Sequence, residues 1–189
     1  MSAIKNTPAD ILDFWYADDM KKAWFSSTPE IDENIRQRYE KLWQIAINKD
    51  LDDWKNTADG CLALIILLDQ LPLNMFRGTA QSFSSEQQAV AACYHAIKEG
   101  FDQDIIKQSG SDRIAFLYMP LMHSEDISDQ NNAVKYFEAA ELKGNINFAK
   151  HHRKIIEKFA RFPHRNKVLG RKNSTDETVY LNSKEAFLG

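Results

Sequence analysis

Three segments of this 189-residue chain set charged and hydrogen-bonding side chains at the ends of otherwise apolar runs. In "LLDQLPLNMFRG", residues 67–78, Asp69 falls in the last turn of a nearly all-apolar helix pattern. The helix dipole disfavours a carboxylate there, so a buried Asp69 needs an Arg or His brought from elsewhere. Such a pair either fixes helix packing or supplies a functional carboxylate. In "YMPLMHSED", residues 118–126, His123, Ser124 and Glu125 follow an apolar run interrupted by Pro120. The His-x-Glu spacing suits two metal ligands or an acid/base pair, and the same residues suit the capping of a helix that opens at Ser128.

The third segment, "FAKHHRKIIEKFARFPHRNKVLGRK", residues 148–172, is the most basic. Between residues 150 and 172 nine Lys and Arg accompany one acid, a local charge of +8 against −11 for the rest of the chain. Helical periodicity puts Phe148, His152, Ile155, Phe159 and Phe162 on one apolar stripe, so His152 faces a core while His151 is wetter. Arg153 and Arg161 flank that stripe, where their stems pack and their guanidinium groups reach a neighbour. Arg165 and Arg171 follow the turn at Pro163. Together these cations form a place to hold carboxylates, either the chain's own Asp69 and Glu125 or those of a ligand.

The elements that must position these groups announce themselves by capping chemistry. Thr7 before Pro8 opens a helix to about Tyr16, and Thr28 before Pro29 opens another to about Asn48 with Ile31, Ile35, Tyr39, Leu42 and Ile45 inward. Thr57 caps a helix that runs to about Leu71, apolar nearly all round and therefore central, with Pro72 as its stop. Ser84 with Gln87 reads as a capping box for a helix closed by Gly100, and a further helix over 111–123 is kinked or restarted by Pro120. Ser128 opens a helix that Gly144 terminates, Asn145 opens the basic helix, and Ser174 with Glu177 caps a last one.

Seven or eight helices, no confident strand and short connections predict one all-α domain over residues 1–189, built of stacked antiparallel helix pairs. The tetratricopeptide pattern does not register at a 34-residue period, so only a degenerate, TPR-like helical repeat is expected. "GCLALIILL" is about half the length of a membrane span, and the N-terminus shows no signal-peptide pattern, which together predict a cytoplasmic protein without a membrane partner. Cys61 and Cys93 read as buried free thiols.

"LIILLDQLPLNMFRGT", "FLYMPLMHSE" and "HRKIIEKFARFPHRNKVLGR" followed by "STDE" resemble the signature segments of a bacterial family known as domain of unknown function 924. The resemblance spans essentially the whole chain and implies a tetratricopeptide-like helical fold with no established activity. It also implies that Asp69, Gln70, Asn74, Arg77, His123, Glu125, His152, Arg153, Arg161, His164, Arg165, Asn166 and Arg171 are signature polar positions. Two departures stand out: Leu73 sits where that pattern has Arg, and Ala160 where it has Gly, a change a helix should welcome.

Convergence of the three segments on one polar pocket is the expectation, with a small anionic ligand or an acidic peptide as its occupant and a protein partner as a further possibility. The alternative is a hydrolase or lyase that uses His123 and Glu125 as acid/base or metal ligands while Arg161 and Arg165 hold an anionic substrate. No P-loop, HExxH, dinucleotide turn or nucleophile elbow is present, so no cofactor or metal is assigned. The acidic body argues against nucleic acid.

Overall fold

Thr7 and Thr28 open helices as their spacing predicts, each accepting a hydrogen bond from an amide in the first turn. The structure is a computed structural model that describes residues 7–109 and 111–188, and among these it contains helices and turns but no strand. The helices are α1 (Pro8–Trp15), α2 (Asp18–Ala23), α3 (Pro29–Ile47), α4 (Ala58–Ile65), α5 (Leu71–Met75), α6 (Glu86–Lys98), α7 (Phe101–Ser109), α8 (Ser111–His123), α9 (Ile127–Ala139), α10 (Lys143–Phe159) and α11 (Thr175–Leu181). The short α2, α5 and α7 are additional to the helices read from sequence.

The central helix is where the apolar run places it. Every residue from Gly60 to Pro72 is buried, and α4 packs against α1, α6, α7 and α8. Gly60 is required at its start, because a Cβ there would lie 2.0 Å from the carbonyl oxygen of Trp54. Ala58–Met75 is long and apolar enough to cross a membrane, but 83% of that stretch is buried inside the fold, as befits a core helix. Successive helices from α6 to α10 pack on one another, as in a stack of helix pairs. Cys61 and Cys93 are buried free thiols, and burial pushes the Cys61 thiol up to about 11.

Pro72 does not stop the central helix. The chain passes through a π-turn over Ile66–Gln70, where the Leu71 amide reaches back five residues to the Ile66 carbonyl, and Pro72 then sits in the first turn of α5. An α-helix would need the Pro72 amide to serve the Leu68 carbonyl, and proline has none. The Ser85 hydroxyl serves it instead, donating to Leu68 O at 2.6 Å while accepting from Trp43 Nε1 at 3.0 Å.

Other boundaries differ for local reasons. The Ser84 hydroxyl donates to the Gln81 carbonyl, so the capping box with Gln87 is not made, although Gly100 does close α6 at a φ of 77°. Asp126 rather than Ser128 caps α9, and α8 continues through Pro120 without restarting. Gly144 lies inside α10; the left-handed residue after α9 is Glu141, at a φ of 54°. The inward face of α10 is Ala149, His152, Ile155 and Ile156, which turns Phe148 out to 59% exposure. On α3, Trp43 and Ala46 take the inward places and Ile45 faces out.

Candidate functional site

Burial at the end of the central helix obliges Asp69 to find a cation, and α8 delivers one. Asp69 lies in the π-turn, with both carboxylate oxygens 3.0 Å from Nδ1 of His123, the last residue of α8. The Gln70 side-chain amide also donates to Asp69. Burial disfavours the His123 imidazolium, yet the Asp69 carboxylate outweighs it and leaves the pKa raised. Because Nδ1 is committed to Asp69, Nε2 is the nitrogen left for anything else.

Arg165 reaches the same place from the turn at Pro163–Arg165. Its guanidinium lies between the rings of Phe83 and Phe162, 4.5 Å from each centroid. One terminal nitrogen donates to Glu86 at 2.8 Å and the other to the His123 carbonyl at 2.9 Å. Arg165 is only 7% exposed, and its Nε is buried without a partner. Burial raises the Glu86 pKa against the pull of Arg165.

Two more imidazoles complete the polar wall. His152 donates its Nδ1 hydrogen to the Phe148 carbonyl at 2.8 Å, which fixes the tautomer and leaves Nε2 as an acceptor. Burial lowers its pKa to about 3. The pKa of His164 falls to about 4 through burial and then through Arg165, and its buried Nδ1 has no partner. Phe187 packs edge-on against both rings, at 4.5 and 5.0 Å.

These groups surround a cavity of about 350 Å³. Asp69, Arg77, Glu86, His123, His152, His164 and Arg165 line it, with Ser82 and an apolar remainder that includes Leu68, Leu73, Val168 and Phe187. Arg77 sits at its rim with a 58% exposed side chain and bonds Asp32 at 2.6 Å; Asn74 holds the same carboxylate at 2.8 Å.

The remaining residues singled out from sequence do not line the cavity and bond to other parts of the fold. Arg171 grips Glu125 with two bonds of 2.6 and 2.9 Å, and Glu125 also accepts the Phe162 amide at 2.7 Å. His123 and Glu125 are therefore not brought together as a pair, since the chain turns at Ser124 and sends the two side chains to different partners. Arg161 does not line the cavity with Arg165; it makes a two-pronged pair with Glu177 at 2.6 and 2.8 Å and holds that carboxyl down at about 2. Asn166 bridges Arg171 and Asn173, and Arg153 bonds Asn131 at 2.6 Å on the outside of α10. Lys150, Arg161, Arg165 and Arg171 of the basic segment are thus matched by acids from other elements, Glu138, Glu177, Glu86 and Glu125. Among the described residues no three of His, Cys, Asp and Glu are placed to hold a metal ion.

Sequence reasoning missed Glu86, Asp32 and Phe83. Glu86 reads as an ordinary first-turn acid of α6, and nothing near it in sequence signals a partner 79 residues away.

Among the described residues, an all-helical fold with a cavity walled by paired charges defines the class. The chain belongs to the family described as a bacterial protein of unknown function, DUF924, which matches residues 11–185. It is similar in structure to a protein of unknown function from Agrobacterium tumefaciens, with 36% sequence identity, a TM-score of 0.85, and coverage of 93% of this chain and 96% of that one. No protein with a curated description matches it.

Proposed function

We propose that this protein binds a small anionic ligand in the cavity between the π-turn, the end of α8 and the Pro163–Arg165 turn. The observation that carries this reading is Arg165: a buried guanidinium on the wall of a cavity whose lining is otherwise largely apolar. Each of its terminal nitrogens carries a second hydrogen beyond the one given to Glu86 or to the His123 carbonyl, and a ligand oxyanion can accept it in a charge-assisted bond. A cavity of about 350 Å³ suits a small molecule better than an acidic peptide. Free buried thiols are consistent with a cytoplasmic setting.

The test is a thermal-shift screen of anionic metabolites. A ligand at a hundred times its Kd adds about 2.7 kcal/mol, or about 5–10 °C for a chain of this size. The shift is expected to vanish in Arg165→Gln. No shift with any anion, together with a strongly destabilised Arg165→Gln, would make the cluster a structural lock.

One feature favours acid/base catalysis as a second reading. Asp69 orients His123 through Nδ1 and leaves Nε2 to give or take a proton at the cavity, with Asp69 in the place that Glu125 was expected to take. In Asp69→Asn the His123 pKa is expected to fall, which a histidine NMR titration reads directly. An unchanged titration would remove the basis for this reading.

A further inference from the structure

The cations on the cavity wall are already matched one by one. Arg165 faces Glu86, His123 faces Asp69, and Arg77 faces Asp32. A ligand with two or more negative charges would bring uncompensated charge beside Asp69 and Glu86 in a poorly solvated space, which is strongly unfavourable. What the wall still offers is little: the second hydrogens on the two Arg165 terminal nitrogens, and the imidazoles of His123, His152 and His164. That set serves one oxyanion and at most a neighbouring hydroxyl. The rest of the lining is apolar, with Leu68, Leu73, Val168 and Phe187 as surfaces that an ionic ligand alone would leave in contact with water.

We infer that the ligand is a monocarboxylic acid with a compact apolar body, its carboxylate on Arg165 and its body against Leu68, Leu73, Val168 and Phe187. This assignment rests on the reading of the cavity as an anion site and narrows it to one charge plus an apolar moiety.

The probes are a series of straight-chain acids, acetate, butyrate, hexanoate and octanoate, with citrate and octanamide as controls, titrated calorimetrically into the purified protein. Affinity is expected to rise by about fourfold per methylene until the cavity is filled. Octanamide is expected to bind at least about tenfold more weakly than octanoate, since it forfeits the charge-assisted bond to Arg165. Arg165→Gln should erase the difference between octanoate and octanamide. Should that variant fail to fold, Val168→Trp decides, because it fills the cavity from a partly exposed wall position: it should abolish the gain with chain length and leave acetate unaffected.

Citrate binding more tightly than octanoate would overturn the monocarboxylate assignment while leaving the anion site standing. Octanamide matching octanoate would overturn the anion site itself, and the assignment with it. Absence of binding by every acid would overturn both, as would a chain-length gain that survives in Val168→Trp.

Discussion

Ala160 ends α10 in the left-handed conformation, with a φ of 56°, and its methyl group is exposed. An L-residue pays about 1–2 kcal/mol for that backbone, of which glycine's greater unfolded freedom returns a part. Ala160→Gly is therefore expected to stabilise the protein by about 1 kcal/mol, read as a rise in Tm of about 2–4 °C. The sequence suggested the opposite, that alanine would favour the helix, because periodicity carried the helix past residue 160 while the structure stops it at Phe159. Single residues are legible in sequence when their partner is close along the chain. Thr57 and Ser174 declare themselves as caps because each serves an amide three residues on. Asp69 declared only a need; that His123 meets it, 54 residues away, required the fold.

At the scale of elements, the π-turn shows how a local defect is answered from a distance. Ser85 stands 17 residues from Leu68 and 42 from Trp43, and one hydroxyl satisfies both. Ser85→Ala leaves a buried carbonyl and a buried indole N–H unserved, at a cost of about 1–3 kcal/mol each. The urea midpoint is expected to fall by the equivalent amount with the m-value unchanged; a loss below about 1 kcal/mol would mean that the π-turn does not depend on this hydroxyl. Proline at position 72 removes an amide, and a stop is what that loss predicts. The helix continues because a side chain from the start of the next long helix, Ser85, takes the orphaned carbonyl. The all-helical class was legible for a simpler reason, since apolar spacing over each long helix repeats many times, whereas α2 and α5 span only six and five residues.

For the whole molecule, the cavity histidines make stability depend on pH in two separate windows. His152 and His164 titrate near 3 and 4 in the folded protein, against about 6.5 when unfolded. Between pH 4 and 6.5 the unfolded chain binds these protons and the folded chain does not, so stability falls as pH falls, by up to about 1.4 kcal/mol per pH unit for each histidine. His123, raised by Asp69, acts in the opposite sense: its contribution is full below pH 6.5 and is lost as pH rises through its folded value. His164→Phe is expected to flatten the acid limb of a Tm–pH curve and spare the alkaline limb; an unchanged acid limb would mean that His164 is protonated in the fold. Much of the cavity was legible as residue types, less as a constellation, because Asp69, Glu86, His123 and Arg165 come from four separated segments whose meeting only packing decides.

That dispersal also sets an order of events during synthesis. A domain folds as a unit while its residues emerge from the ribosome N-terminus first. Leu68 and Asp69 are made early, His123 later, and Phe187, which packs on His152 and His164, after all of them. The last stretch of cavity wall, Phe187 and Leu188, is therefore supplied only after the other three sides have been made.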